Sequence, residues 1–282
     1  MKIIAECGAT KSDWRLVCDG AGIKQVLVSG INVSTMSWAA IKAVVDEAMV
    51  QLCFNAEAEV GAVQDIHLYV AGVVTEEVEA NFNNLFATYY QSAEVEIQTD
   101  LVAAARAACG HTPGIAAIIG TGSNSCQWDG EKIVRKVATG GFILGDEGGA
   151  ATLGKLFISD FIKGLVPLEI AEDFSSRYPS DYVTIVTNVY RSQAPSAYLG
   201  GFAPFIMEYY HHPYIKKLVD DNFRSFIRRS LKQYDTEVCP VGVVGGYAFA
   251  LKDIFLRIAS EEGITVSRII KAPIEGLIEY HS

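Results

Sequence analysis

The feature that most constrains this chain is a local pattern that occurs twice. Near the start, Ile3-Ile4-Ala5 is an apolar strand, Cys7-Gly8-Ala9-Thr10-Lys11-Ser12 is a turn, and Trp14-Arg15-Leu16-Val17 resumes as a strand. Asp19-Gly20 then signals a hairpin, and residues 23–28 read as a third strand. At Gly114 the same grammar restarts. Residues 115–119 are a buried strand, Gly120-Thr121-Gly122-Ser123 a turn and Cys126-Gln127-Trp128 a second strand. Asp129-Gly130 makes the hairpin again, and Ile133-Val134 begins a third strand. Identity between the two stretches is slight, so the match is one of structural pattern. A length of 282 residues suits two domains, and the pattern divides them into residues 1–112 and 113–282.

The remaining segments fill in around these strands. Trp38, Ile41, Val44, Val45, Ala48 and Leu52 recur at helical spacing, which predicts a helix over 37–52. A strand over 66–71, a helix from Thr75 and a strand over 95–97 follow, and Asp100 stands where the next helix begins. Residues 150–234 read as a mostly helical stretch interrupted by prolines, an insertion that enlarges the second half. Residues 241–244 return as a strand, Gly245-Gly246 is a turn, and a helix is expected over 247–258. A short strand near Ile269-Ile270 and a helix from Pro273 close the chain. This alternation implies mixed sheets covered by helices, an α/β protein.

Charge removes several function classes. The net charge is −10 and no segment is a basic run, which argues against nucleic acid or an anionic membrane as partner. The uncharged stretch 238–251 is too short for a bilayer and carries three glycines. Glu6 follows only a few apolar residues, leaving no signal-peptide core, so a cytoplasmic location is expected. The six cysteines include no C-x-x-C pair or other metal spacing.

Five segments have the composition of a site. In the first turn Gly8 lets backbone amides approach an anion, Thr10 and Lys11 reach phosphate, and Glu6 helps hold Mg²⁺ through water; an ordinary hairpin explains the same residues. The turn formed by Gly120, Thr121, Gly122 and Ser123 is a second phosphate cradle or a second plain hairpin. Asp100, at the carboxyl end of a strand, is placed to take a proton from a hydroxyl or to cap the helix that follows. Gly145-Asp146-Glu147-Gly148-Gly149, preceded by Gly140-Gly141-Phe142, sets two acids among glycines, either to bind hydroxyls or a metal or to start a helix. Gly245-Gly246-Tyr247-Ala248 leaves room for a flat nucleoside, or for close helix–strand packing.

In this order the segments resemble the actin, hexokinase and Hsp70 class, and more closely the N-acetylglucosamine kinase family of the BadF/BadG/BcrA/BcrD ATPase group. The residues carrying the resemblance are Glu6 to Asp13, Gly30-Ile31-Asn32, Thr99-Asp100, Gly120-Thr121-Gly122-Ser123-Asn124, Gly145-Asp146-Glu147-Gly148 and Gly245-Gly246. The resemblance implies two ribonuclease-H-like lobes with a cleft between them. It also implies that Gly8, Thr10, Lys11 and residues 120–123 face the phosphates of ATP, and Gly245 and Gly246 the nucleoside. By the same resemblance Asn32, Asp146, Gly140, Gly141 and Phe142 form the sugar side, Asp100 is the catalytic base and Glu6 attends the Mg²⁺. Two positions depart from the pattern: Glu6 stands where the family usually has Asp, and Phe142 where animal members carry Trp.

The expectation is therefore an ATP-dependent kinase acting on the 6-hydroxyl of N-acetylglucosamine or a related amino sugar. Two alternatives use the same fold: an ATPase switch that activates another enzyme, and a non-catalytic sugar or nucleotide sensor. The switch would need paired cysteines for an iron–sulfur cluster, and Cys109 and Cys126 do not supply that pattern. The sensor reading lacks a helix-turn-helix segment or basic face. A homodimer is left open.

Overall fold

The computed structural model describes residues 1–8, 11–18, 21–53, 63–192 and 194–282. Contacts divide them into two units. Unit 1 comprises Met1–Thr112, Gly130–Lys132 and Ala272–Ser282; unit 2 comprises Pro113–Asp129 and Ile133–Lys271.

Unit 1 contains β1 (Lys2–Cys7), β2 (Lys11–Cys18), β3 (Ala21–Ser29), α1 (Trp38–Cys53), β4 (Asp65–Val70), α2 (Glu76–Ala87), β5 (Glu94–Thr99) and α3 (Asp100–Cys109). Unit 2 opens with β6 (Gly114–Ile119), β7 (Ser123–Trp128) and β8 (Ile133–Lys136), then α4 (Gly141–Leu144) and α5 (Ala150–Phe161). The helical stretch continues as α6 (Leu168–Arg177), α7 (Tyr182–Tyr190), α8 (Pro195–Gly200), α9 (Ala203–Glu208) and α10 (Pro213–Arg229). Then come β9 (Val241–Val244), α11 (Gly246–Ala250), α12 (Lys252–Glu261) and β10 (Val266–Ile270). The chain closes with α13 (Ile274–Tyr280), which returns to unit 1.

Each unit holds a five-stranded sheet, and the two have the same order: β3-β2-β1-β4-β5 and β8-β7-β6-β9-β10. In both, the first three strands form antiparallel hairpins and the first, fourth and fifth run parallel. The repeated grammar of the sequence thus extends to a full repeat of topology, two ribonuclease-H-like units of the actin-like ATPase class. The helices α4 to α10 occupy the β8–β9 connection, where unit 1 has, among the described residues, α1 alone between β3 and β4. That is the insertion expected over 150–234. One expected helix is in fact two: the stretch 247–258 breaks at Leu251 into α11 and α12. The Asp19-Gly20 hairpin lies outside the described residues.

Each unit has its own core. In unit 1, Ile3, Trp14, Ile66, Leu68, Phe82 and Phe86 meet between the sheet and its helices. Trp14 donates its indole N–H to Ser12 Oγ at 3.0 Å, and Ser12 Oγ donates to Ser29 O at 2.7 Å, so the polar atoms beneath the ring are satisfied. In unit 2 the aromatic residues of the insertion pack on one another. Phe174 lies 5.2 Å, centroid to centroid, from each of Phe157, Phe202 and Phe205, edge to face. Such buried rings are worth roughly 3–5 kcal/mol each against alanine. The inserted helices are a packed part of unit 2.

Candidate active site

In unit 1, β1, β4 and β5 run parallel, so their carboxyl ends open on one edge of the sheet, where ligands of open α/β sheets bind. Glu6 is the penultimate residue of β1, and Asp100 follows β5. Burial pushes the Glu6 carboxyl up to about 7; Asp13 adds to the shift, Lys11 opposes it and Asp100 adds again. These carboxylates therefore feel one another, and such an oxygen-rich set suits a hard divalent cation. Asp13 itself is tied to Arg15 at 2.7 Å and to Gln25 at 2.8 Å.

The start of α3 shows which residue caps it. The cap of α3 is Thr99, whose Oγ1 accepts from the Val102 amide at 3.4 Å, and Asp100 is the first helical residue. Gly8 meets no steric demand: a Cβ there would sit 3.4 Å from Lys11 O, an ordinary contact, with no left-handed φ. Lys11 is exposed at the start of β2, and Thr10 lies outside the described residues. Asn32 is half-buried; its Oδ1 accepts from the Ser34 amide at 2.9 Å, which leaves its side-chain nitrogen as donor.

In unit 2, β6 and β9 are parallel neighbours, so the turn after Ile119 and the turn after Val244 emerge together. Gly245 has φ +142°, and a Cβ there would lie 2.2 Å from Ile119 O; close backbone packing demands this glycine. Gly120 and Gly246 are different: neither has a left-handed φ, and a Cβ on either would meet nothing within 4 Å. The next residue, Tyr247, has a buried hydroxyl with no hydrogen-bond partner among the described residues. Its ring packs on Phe223 at 5.6 Å in the unit 2 core. Within the turn, the Gly120 amide donates to Gly122 O at 2.9 Å and the Ser123 amide to Asp146 Oδ1 at 3.3 Å.

The loop 140–149 is bound closely to that turn. Gly140 and Gly141 have φ +74° and +65°, a left-handed pair that only glycine adopts cheaply. Asp146, at φ +55°, is the one non-glycine residue with positive φ among the described residues. This conformation costs on the order of 1–3 kcal/mol and persists only where its surroundings over-determine it. Its carbonyl accepts from the Gly149 amide at 3.1 Å and from Thr152 Oγ1 at 2.7 Å. A Cβ on Gly122 would lie 2.6 Å from Asp146 Oδ2, so that glycine makes room for the carboxylate. Burial raises the Asp146 carboxyl above its usual range; the Ser123 amide lowers it, Glu147 raises it and Lys155 lowers it. Helix α5 starts on Gly149 with no side-chain cap, so Asp146 is not its capping acid. Phe142 is half-buried against the unit 2 core.

Sequence reasoning missed two residues that hold this loop. Lys155 donates to Phe142 O at 2.7 Å, and Asn222 bonds the loop backbone. The signal for Asn222 was present: it is the polar member of an apolar stripe with Val219, Phe223, Phe226 and Ile227. A cavity of about 660 Å³ is lined by Gly145, Glu147, Thr152, Lys155 and Arg229 among others. The Asp146 side chain does not line it.

Away from these residues, His67, Glu96 and His281 of unit 1 come within ligand distance of one another. They do not form a metal site. Arg106 holds both Glu96 oxygens, at 2.6 and 2.9 Å, and the imidazoles stack face to face at 3.6 Å, which keeps their in-plane lone pairs from converging on one ion. No described helix is long and apolar enough to cross a membrane.

No family model and no curated protein matches the chain. Among solved structures, a candidate N-acetylglucosamine kinase from Porphyromonas gingivalis is 32% identical, with a TM-score of 0.92 over 100% of this chain and 98% of that one. The chain belongs to this N-acetylglucosamine kinase-like family. A second candidate N-acetylglucosamine kinase, from Chromobacterium violaceum, is 18% identical with a TM-score of 0.80, over 100% of this chain and 98% of that one. An ethanolamine utilization protein from Carboxydothermus hydrogenoformans, 18% identical, aligns over 99% of this chain and 89% of that one at a TM-score of 0.54. At such identities these last two share the family's fold and carry nothing about function.

Proposed function

We propose that this protein is an ATP-dependent carbohydrate kinase of the BadF/BadG/BcrA/BcrD group that phosphorylates the 6-hydroxyl of N-acetylglucosamine or a related amino sugar in the cytoplasm. The observation that carries the reading is a pair of carboxylates that neither helix start uses as its cap. Asp100 stands at a strand's carboxyl end behind the Thr99 cap, and Asp146 is held left-handed on the Ser123 amide. Membership of the family supports the substrate class.

When bound, Mg²⁺-ATP supplies the phosphoryl group and the cation that neutralises its developing charge. On this reading Glu6 helps hold the cation, and its charge, suppressed by burial, is released when positive charge arrives. Gly8, Thr10 and Lys11 contact phosphate oxygens, and so do Gly120, Thr121, Gly122 and Ser123, through amides, hydroxyls and one ammonium. Gly245 and Gly246 give the nucleoside a flat backbone surface. Asn32 donates to a sugar hydroxyl, the Asp146 carboxylate accepts from another, and Gly140, Gly141 and Phe142 shape the wall beside them. Asp100 accepts the proton of the attacking hydroxyl, a step whose value is about 10²–10⁴-fold in rate.

The test is ADP release measured against a panel of hexosamines, N-acylhexosamines and plain hexoses. Release driven by an N-acylhexosamine is the expected result. An ATPase rate that no sugar changes removes the kinase and favours the ATPase switch.

A further inference from the structure

Asn222 is buried, at 3% exposure, on the face of α10 that packs under the loop 146–149. Its Oδ1 accepts from the Gly148 amide at 2.9 Å, and its Nδ2 donates to Gly149 O at 3.1 Å. These two bonds also fix which way the amide points, since reversing it would set donor against donor and acceptor against acceptor. One helical turn further on, Phe226 lies against Gly148, where a Cβ would come within 2.8 Å of the Phe226 Cβ. The α10 face thus grips the two residues that close the Asp146–Gly149 turn, itself fastened by the Gly149 amide on Asp146 O.

We infer that Asn222 is a positioning residue for Asp146: its two hydrogen bonds hold the turn that keeps Asp146 left-handed and its carboxylate on the Ser123 amide. The inference rests on the proposed sugar contact of Asp146. The physical reason is over-determination. A strained φ at a non-glycine residue relaxes unless its surroundings forbid it, and here the turn runs from Gly145 through Glu147 to Gly148 and Gly149, three of them glycines with little stiffness of their own. Their amide and carbonyl are fixed by a side chain 73–74 residues away in sequence. Without that clamp the turn has a choice of conformations, and the carboxylate loses its fixed place.

The experiment is a double-mutant cycle read by calorimetry, with N-acetylglucosamine or whichever sugar of the panel drives ADP release, and separately with a non-hydrolysable ATP analogue. Asn222→Leu keeps the branched shape and the number of side-chain heavy atoms while removing both bonds; Asn222→Ser, smaller and polar, runs alongside and is read in the same way. The expected result is sugar binding weakened about ten- to a hundredfold with nucleotide binding changed less than about twofold. In an Asp146→Ala background, either substitution should change sugar binding less than about twofold, because its effect passes through a carboxylate already gone. Parent-like sugar binding in the Asn222 variants overturns the inference, and so does an equal loss in both backgrounds, which marks a general packing role. If Asp146→Ala by itself leaves sugar binding intact, the sugar contact of Asp146 fails, and the positioning role fails with it.

Discussion

Glu6→Gln should make the ligand-free protein more stable at alkaline pH while removing its metal-dependent chemistry. Burial, with Asp13 and Asp100 nearby, holds the Glu6 carboxyl at about 7, against roughly 4.3 in an unfolded chain. Below both values the group is protonated in either state and nothing is lost. As pH rises from about 4 to 7 the unfolded chain releases its proton first, so folding stability falls, and above 7 the full cost is present. A gap of roughly 2.5 units at about 1.4 kcal/mol each gives on the order of 3 kcal/mol as an upper bound, and water reaching a half-buried group lowers it to about 2. Glutamine has nearly the same shape and no charge, so at pH 8 the variant should melt about 4 °C above the parent. At pH 5 the gain should shrink to roughly a third. Mg²⁺ with nucleotide should stabilise the parent more than the variant, and sugar-dependent ADP release should fall in the variant. Scanning calorimetry across pH 5 to 8 measures all but the last. A variant no more stable than the parent at pH 8 would refute the reasoning, because it would mean that the site already satisfies an ionised Glu6. An equal gain at every pH would assign the effect to packing.

Other outcomes follow from the same geometry. Asp100→Asn should fold and melt within a few degrees of the parent, because Thr99 is the cap, while phosphoryl transfer falls about 10²–10⁴-fold; parent-like turnover would put the base elsewhere. Gly246→Ala should keep the fold but weaken nucleotide binding, whereas Gly245→Ala should destabilise unit 2, since its Cβ would meet Ile119 O at 2.2 Å. Melting and nucleotide titration of the pair check this, and equal melting temperatures would contradict it. His281, lowered to about 3 by burial with the charges of His67 and Arg106 adding, is neutral in the fold. Its contribution is present above about pH 6.5 and lost as pH falls towards 3, so His281→Gln should flatten the acid limb of stability, and an unchanged slope would count against it.

The paired hairpins were legible because their signals are local: two-residue periodicity bounded by turn residues. The alternation of strands and helices gave the mixed α/β class, the family resemblance gave the two ribonuclease-H-like lobes, and the strand orders are visible only in the structure. What local pattern does not carry is where distant segments dock. The terminal helix α13 is visible from Pro273 onward, but its packing on α3, where a Cβ at Gly276 would meet Ala107 O at 2.6 Å, is a contact across more than half the chain. Asn222 has the same difficulty. A polar residue on an apolar helix stripe announces a buried partner, and nothing nearby in sequence says that the partner is the backbone of Gly148 and Gly149.

The glycines show the limit most sharply. Gly245 and Gly246 are adjacent and chemically identical, and in sequence they form one motif. In the fold they part company: Gly245 is glycine because β6 leaves no room for a side chain, and Gly246 is glycine although there is room. The same division separates Gly122, filled by the Asp146 carboxylate, from Gly120, beside which nothing lies. A glycine that its own fold requires explains itself through packing. One that its fold does not require, at the carboxyl end of a parallel strand, calls for a reason outside the protein, and Gly120 and Gly246 both stand at such ends. The proposed nucleotide, a flat and anionic ligand, would supply that reason, and the alanine pair at 245 and 246 separates the two causes because only one of the two sites is closed by the fold itself.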